Sequence, residues 1–392
     1  MSMDRHYDLV VLGGGAIGLS AALSAAETMN GHPVIPGHRI LIIDQFEFGN
    51  DQSSSAGRTR QFRYQYSQPY MTELVMQSVP CWKNLSDRAG FSLISDSGSL
   101  WFGHADLATT EGGIGAAKKT MSQLGIPCQD VSAQDLDQRF GFSGLPADYA
   151  GFLQPNGGTI DLESTIDVLL RECHKHGIHM VSNERIDDIG ELGGQVVLTS
   201  ATQRYVGASL VIATGPFINE TLAPFGHRAP VKIWDMVSCY YPIQSSKAES
   251  LPTWFAFHQS PDGSPDLYYG FPPVDNGPPG HMRVCPDYPF AVYDDPRTRR
   301  TPSDDDFAGT TEWVRRHMPS LRPKPAYQSR CMLALSTTEQ PLFLDLISRA
   351  PNVAVCAAGW CAKVAPELGR LSAQLALRGQ TTTDITPFRL ET

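Results

Sequence analysis

Three glycines near the start of the chain, Gly13, Gly15 and Gly18, constrain its fold more than any other feature. They follow an apolar run at residues 8–12, which predicts a strand, and they precede an alanine-rich run at residues 19–28, which predicts a helix. The first glycine permits a tight turn, the second lets the backbone approach a pyrophosphate, and the third lets the helix pack closely on the strand. This arrangement predicts a strand–turn–helix that binds a dinucleotide.

A second predicted strand supports the same unit. Residues 39–43 are apolar and end at Asp44, whose carboxylate can bind a ribose hydroxyl. A polar insert at residues 30–38 accounts for the long separation between the glycines and Asp44. The opening therefore predicts a βαβ unit, the beginning of a doubly wound sheet. A chain of 392 residues is long enough for two lobes that share a cleft.

Charge and composition exclude several classes of partner. With 31 Lys and Arg against 41 Asp and Glu, the net charge of −10 argues against nucleic acid. The apolar run at residues 7–26 is interrupted by Asp8 and by the glycines, so a buried strand and helix are favoured over a leader or membrane span. Eight scattered cysteines without a C-x-x-C pair predict free thiols and a cytoplasmic protein. His174, His176 and His179 lack further ligands, so we expect no metal site.

A late apolar strand bears on which dinucleotide is bound. Residues 209–213 run into Thr214 and Gly215. A late strand that ends in Ala-Thr-Gly is typical of two-lobed FAD enzymes, although an ordinary strand-to-turn junction is the alternative. Together with the glycine turn, it favours FAD over NAD.

The polar segment 45–67 is predicted to be a functional loop, and it carries Arg58, Arg60 and Arg63. A guanidinium offers a planar, two-pronged donor that can clamp a substrate carboxylate. The alternatives are a solvated basic loop, or arginines that serve only the pyrophosphate.

The remaining patterns predict an α/β protein of two lobes. Apolar spacing predicts helices over residues 70–85, 163–176 and from Pro366 onward, and strands over residues 179–182, 195–199, 231–241, 267–271 and 353–357. We expect a discontinuous, Rossmann-like FAD-binding domain from residues 1–90, 153–226 and 326–392. Residues 91–152 and 227–325 are expected to form a substrate domain with a mixed or antiparallel sheet.

Several segments together resemble the monomeric sarcosine oxidase family over essentially the whole chain. They are the glycine turn, Thr59-Arg60 with Arg63, Tyr268-Tyr269-Gly270-Phe271, Cys331-Met332 and Ala357-Ala358-Gly359. Longer runs are similar to a branch of the family that oxidises piperideine-2-carboxylate to picolinate. These runs are residues 98–103, 139–142, 144–146, 151–155, 157–161 and Gly359-Trp360-x-x-Lys363.

The resemblance implies roles for individual residues. Cys331 matches a cysteine that forms a thioether with the 8α-carbon of the flavin. Arg60 and Lys363 match a cationic pair that grips the substrate carboxylate and so orients the substrate. Tyr269 would bind the substrate from the other lobe, unless it is simply a core aromatic of its strand.

Three further residues match the picolinate-forming branch. Trp360 could stack on a planar ring or simply line the pocket. Glu111 and Asp287 could accept a proton or stabilise a cationic imine, whereas taken alone they would be a surface acid and a turn residue. Ala56 replaces a histidine of the simpler oxidases, and Arg283 stands near the position of their oxygen-activating lysine. These departures put sarcosine in doubt as the substrate.

We therefore expect an FAD-dependent oxidase of CH–NH bonds that acts as a monomer, takes piperideine-2-carboxylate or a similar cyclic acid to picolinate in secondary metabolism, and reduces O2 to H2O2. The alternatives are a sarcosine, proline or pipecolate oxidase that stops at the imine, a dehydrogenase that passes electrons to a carrier, and a flavin-binding protein without turnover. The residues expected around the cofactor are Gly13, Gly15, Ala16, Ile17, Gly18, Asp44, Gln45, Ser54, Ser55, Thr59, Arg60, Ile186, Gly215, Cys331, Gly359, Trp360 and Lys363.

Overall fold

Two large β-sheets organise the chain in a computed structural model that describes residues 5–27, 35–107, 112–260, 262–275 and 277–390. The strands in chain order are β1 (Arg5–Leu12), β2 (Ile40–Ile43), β3 (Thr59–Phe62), β4 (Ser99–Gly103), β5 (Gln129–Val131), β6 (Ala150–Gln154), β7 (Gly158–Asp161), β8 (His179–Val181), β9 (Ile186–Leu192), β10 (Gln195–Ser200), β11 (Arg204–Ile212), β12 (Val231–Pro242), β13 (Thr253–Gln259), β14 (Pro265–Phe271), β15 (His281–Pro286), β16 (Ala291–Tyr293), β17 (Tyr327–Ser336), β18 (Leu342–Ile347) and β19 (Ala350–Ala358).

The α-helices pack mainly against the first of these sheets. They are α1 (Ala16–Ala26), α2 (Pro69–Ala89), α3 (Ile114–Gln123), α4 (Ala133–Gln138), α5 (Leu162–Lys175), α6 (Ile218–Leu222), α7 (Ala308–His317) and α8 (Ala365–Arg378). Helix α1 lies against α8 and α5, and α2 lies against α8 and α5 in turn. No helix in the described ranges is long and apolar enough to cross a membrane.

The first sheet is the doubly wound sheet that the glycine turn predicts. Its strand order is β18-β19-β11-β1-β2-β8, with β10 and β9 joined to β11. The pairs around β1 are parallel. Strand β2, Ile-Leu-Ile-Ile, is buried at every position, as expected for a parallel strand covered on both faces.

Backbone sterics explain the glycine turn between β1 and α1. Gly13 has a φ of +108°, and a Cβ there would lie 2.4 Å from the carbonyl oxygen of Ala213. A Cβ on Gly18 would lie 1.9 Å from the carbonyl oxygen of Gly13. Only glycine lets the turn, α1 and the end of β11 approach this closely.

The second sheet carries the aromatic core. Its order is β16-β12-β15-β14-β13-β4-β6-β5, with β17 on the other edge of β12. Most pairs are antiparallel, although β4 and β13 run parallel. The rings of Trp101, Phe102 and Trp254 are fully buried within it. The predicted two-lobed α/β fold is confirmed.

One local prediction is wrong. Residues 59–62 were expected in a loop but form β3, which pairs antiparallel with β7. Of its four residues only Thr59 and Phe62 are buried, so the polar composition hid a short strand. The other predicted elements are present, with bounds that differ by a few residues.

The division into domains stays a prediction, with one adjustment. Strand β17 was expected in the FAD-binding domain, but it pairs with β12 along its length, from Tyr327 to Ser336. We therefore propose that the last segment of the FAD-binding domain begins after Ser336.

Candidate active site

A long cleft opens at the carboxyl ends of β1, β2 and β11, where doubly wound sheets bind ligands. It encloses about 1460 Å³ of empty space, part of it open to solvent. Many of the residues expected around the cofactor line it: Gly13, Gly15, Ala16, Ile17, Asp44, Gln45, Ser54, Ser55, Ile186, Gly215 and Gly359. Gly18 lies behind the turn, where it packs α1 on the sheet.

The polar groups of the cleft suit a dinucleotide. Asp44 accepts hydrogen bonds from the backbone N–H of Gly14 (2.7 Å) and of Phe46 (2.8 Å), and burial raises its pKa. The hydroxyl of Ser55 accepts from the N–H of Ala16 at 3.0 Å. Ala16 and Ile17 line the cleft, so the N-terminus of α1 opens into it, and the dipole of the helix favours a pyrophosphate there. These residues fit FAD.

A second cavity, with about 630 Å³ of empty space, continues from the cleft and lies against the second sheet. Ser54, Gly359 and Ala362 line both spaces. The cavity brings together the predicted residues Arg60, Tyr269, Asp287, Cys331, Trp360 and Lys363. Glu111 falls outside the described residues.

Lys363 is held rigidly at the wall of this cavity. Its side chain is 4% exposed, and Nζ donates to the carbonyl of Trp360 (2.7 Å) and the hydroxyl of Tyr66 (3.0 Å). Its own carbonyl accepts from Trp82 Nε1 (2.7 Å) and Ser78 Oγ (3.1 Å), both on α2. Burial lowers the pKa of Lys363.

The side chain of Arg60 donates its hydrogen bonds to backbone carbonyls of the neighbouring loop. Its guanidinium donates to the carbonyls of Ser54 (2.9 Å), Ala56 (2.6 Å) and Thr59 (2.8 Å). These bonds order the loop where the cleft meets the cavity. Its predicted grip on a carboxylate stays a prediction.

Arg63 also lines the cavity; it is one of the three loop arginines that the sequence offered as a carboxylate clamp, although the resemblance implied no individual role for it. It is 2% exposed, and its guanidinium lies 4.4 Å from the ring centroid of Tyr66 and 5.0 Å from that of Trp101. Burial lowers its pKa, but arginine remains protonated at neutral pH. The Thr59–Arg63 motif drew attention to Arg63. Its position depends on the rings of Tyr66 and Trp101, which come together around it only when the chain folds.

Asp287 is a buried carboxyl beside these cations. It is 7% exposed, and its Oδ2 has no hydrogen-bond partner among the described residues. Burial raises its pKa to about 7, against the opposing effect of Arg63 and Lys363. A carboxyl that titrates near neutrality is suited to accept a proton.

This raised pKa predicts a pH-dependent stability difference for Asp287→Asn. The unfolded carboxyl ionises near its ordinary value of 3.8, whereas the folded one ionises near 7. The wild type therefore loses stability relative to the variant as pH rises through this window, by about 2–4 kcal/mol at pH 8. Urea unfolding of both proteins at pH 4 and pH 8 measures this difference in the free energy of unfolding. An equal difference at both pH values would contradict the prediction.

Aromatic rings form the other walls. Tyr269 stacks on Phe255 with centroids 6.0 Å apart and contacts Phe271 edge-on at 5.8 Å. Burial raises the pKa of Tyr269 well above its usual value, so its hydroxyl remains a donor. Trp360 meets Trp234 edge-on at 6.2 Å, and its buried Nε1 has no hydrogen-bond partner within the described ranges.

Cys331 and Arg283 complete the lining on the face of the second sheet. Cys331 is buried on β17 opposite Met236 of β12. Arg283 donates to the carbonyl (2.7 Å) and hydroxyl (2.8 Å) of Thr59 and to the hydroxyl of Ser238 (2.9 Å). Thr59 thus supports Arg283 and is itself almost fully buried.

The glycine-rich cleft and the cationic, aromatic cavity beside it define the class of this protein, a two-domain FAD-dependent oxidoreductase that acts on CH–NH bonds. Residues 8–375 match the DAO family, described as FAD dependent oxidoreductase, and the chain belongs to this family.

Similar proteins and a similar solved structure narrow the class of FAD-dependent oxidoreductase. NikD, described as an unusual amino acid oxidase essential for nikkomycin biosynthesis, is 33% identical with a TM-score of 0.88, over 98% of this chain and 97% of NikD. The peroxisomal sarcosine oxidase of Homo sapiens is 26% identical over 98% of this chain and 95% of its own length. The monomeric sarcosine oxidase of Bacillus sp. is 22% identical over 99% and 97%. The predicted family is confirmed, and the chain is an FAD-dependent amine or amino acid oxidase of the sarcosine oxidase and NikD type.

One similar protein is much longer. The chain is 28% identical to a protein of Dictyostelium discoideum named as a bifunctional amine oxidase, over 98% of this chain but 37% of that protein. The match covers one part of the longer protein.

Proposed function

We propose that this oxidase acts on a cyclic imino acid of the piperideine-2-carboxylate type and converts it to picolinate. The observation that carries the proposal is the cavity that combines two buried cations, a carboxyl that titrates near neutrality and flat aromatic walls. A small, planar, anionic ring with a titratable nitrogen complements all three.

We propose that Lys363 and Arg63 bind the substrate carboxylate. Both are buried, and charge-assisted hydrogen bonds in a dry site bind strongly and fix orientation. Arg60 has its donors on the carbonyls of residues 54, 56 and 59, so we propose that it orders that loop beside the cofactor instead.

Tyr269 and Trp360 would bracket the substrate ring. Trp360 Nε1 is a buried donor and Asp287 Oδ2 a buried acceptor, and neither has a partner among the described residues. A buried polar atom without a hydrogen-bond partner destabilises the protein, so a ligand that supplies the missing partner binds more tightly. Asp287, when ionised, would take the proton from the ring nitrogen or carbon. The role of Glu111 stays a prediction.

The overall reaction balances with oxygen as the acceptor. Conversion of piperideine-2-carboxylate to picolinate removes four hydrogens, so two molecules of O2 become two of H2O2. Bound FAD supplies the redox chemistry by accepting the electrons and passing them to oxygen. We expect the enzyme to work as a monomer, as the name of the Bacillus relative says of that protein.

An anaerobic titration with piperideine-2-carboxylate tests the proposed substrate. We expect the flavin to bleach, to recover its colour when air is admitted, and to leave picolinate, identified by mass spectrometry. Reduction by pipecolate, proline or sarcosine without a response to piperideine-2-carboxylate would overturn the proposal in favour of an oxidase that stops at the imine. Bleaching without recovery in air would indicate a dehydrogenase with another electron acceptor.

We also propose that Cys331 carries the flavin as a thioether. Its buried position in the cavity, which shares lining residues with the cleft, supports this. Acid-precipitated wild type should stay yellow, whereas Cys331→Ser should release its flavin into the supernatant. Cys361→Ser is the matched control, because Cys361 is also buried and lines the cleft. Release of the flavin from the wild type would disprove the attachment without affecting the assignment of FAD.

A further inference from the structure

A segment that follows β16 in the second sheet reaches across to the dinucleotide cleft. Residues 295–300 begin at Asp295, whose side chain caps a single turn of 3-10 helix at Pro296–Thr298. Arg297, in that turn, lines the cleft together with Gln45 and Glu220. The segment thus brings a cation from the second sheet to the mouth of the cofactor cleft.

Arg297 contacts both walls of the cleft. Its Nη2 donates to Oε1 of Gln45 at 2.8 Å, on the loop after β2. Its Nη2 and Nε also donate to the carboxylate of Glu220 at 2.7 and 3.1 Å, in α6 after β11. The guanidinium lies 5.0 Å from the ring of Phe217, which packs on Phe46 of the opposite wall at 5.5 Å. One side chain therefore ties together two loops that must flank a bound dinucleotide.

The base of the segment is held far more firmly than its tip. Asp235 of β12 is fully buried and accepts from Arg299 at 2.9 and 3.0 Å and from Arg330 at 2.8 Å. Breaking such a buried pair is strongly destabilising. At the tip, the side chains of Arg297 and Glu220 are 35% and 37% exposed, and partly exposed pairs contribute little. The tip can therefore open while the base stays in place.

We propose that residues 295–300 form a latch over the dinucleotide cleft and that Arg297 is its positioning residue. The closed latch holds the loops after β2 and β11 at the spacing observed here. FAD enters when the contacts of Arg297 to Gln45 and Glu220 are open, and in a variant without a bond to residue 331 it leaves by the same opening. The proposal depends on FAD as the cofactor and is independent of the identity of the amine substrate.

The test measures release of FAD in a Cys331→Ala background, where the cofactor is held without a bond to residue 331. After dilution, recovery of flavin fluorescence gives the rate. Arg297→Gln and Glu220→Gln should each speed release by about twofold to fivefold, the range for a partly exposed ion pair. The double variant should be no faster than the single variants, because both remove one shared contact. Arg315→Gln, which breaks an exposed ion pair with Glu312 on helix α7, is the control and should release FAD at the parent rate.

Unchanged release in Arg297→Gln, or additive effects in the double variant, would overturn the latch. A second measurement does not depend on cofactor loading. Hydrogen exchange should be faster in Arg297→Gln than in the unsubstituted protein in the peptides that cover residues 45–50 and 217–222, whereas residues 51 and 52 stay bound to Arg299. Equal exchange in both peptides would also overturn it.

Discussion

Replacing Lys363 with methionine should lower kcat/KM for the carboxylate substrate by about 100- to 1,000-fold. Removing one partner of a buried, hydrogen-bonded charge pair costs about 2–5 kcal/mol, and the middle of that range, about 2.8–4.2 kcal/mol, corresponds to this loss. Methionine keeps an unbranched, flexible stem in the space that Lys363 fills, so packing is largely retained. Peroxide release is measured with the acid and with its methyl ester, which lacks the carboxylate charge. The comparison separates the loss of carboxylate binding from a general loss of activity. We expect the loss to be confined to the acid.

The same variant should remain folded with a free energy of unfolding close to that of the wild type, which separates a binding defect from unfolding. Burial lowers the pKa of Lys363, so the charged ammonium costs folding free energy at neutral pH. Methionine removes that cost, but it also removes the hydrogen bonds from Nζ to the Trp360 carbonyl and the Tyr66 hydroxyl, so the two effects oppose each other. Lys83→Met, at an exposed position on α2, is the control and should leave kcat/KM unchanged. A Lys363→Met enzyme with wild-type kcat/KM for the acid would remove Lys363 from the proposed site.

Gly18→Val should yield protein without flavin. A Cβ at Gly18 would lie 1.9 Å from the carbonyl oxygen of Gly13, and backbone cannot yield as a flexible side chain can. Helix α1 must then move away from β1, and its N-terminus no longer faces the cleft. The ratio of absorbance at 450 and 280 nm, with the melting temperature, measures the effect.

Gly190 provides the matched control for this substitution. It lies in β9, its φ is not positive, and a Cβ there would meet no atom of the described residues within 4 Å beyond its chain neighbours. Gly190→Val should therefore bind FAD in full. A Gly18→Val protein that purifies with a full complement of flavin would contradict the close packing of α1 on the glycine turn.

Much of the candidate site could be predicted because the resemblance extends over motifs in several separate segments. Tyr269, Cys331 and Lys363 come from β14, β17 and the turn before α8, and they line one cavity. Their spacing along the chain carries no information about this convergence. The family pattern predicted their roles, and the Cys331 and Lys363 variants test two of them.

The sequence by itself determined the βαβ opening, since the residues that specify the glycine turn and the apolar strands lie close together along the chain. Tertiary structure alone decided how two arginines that both line the cavity are held. Arg60 and Arg63 lie three residues apart, but Arg60 donates to three loop carbonyls, whereas Arg63 donates to the carbonyl of Gln65 and packs its guanidinium against the rings of Tyr66 and Trp101. The near-neutral pKa of Asp287 likewise arises from burial. Burial and long-range packing depend on the whole fold, and no local pattern of residues encodes them.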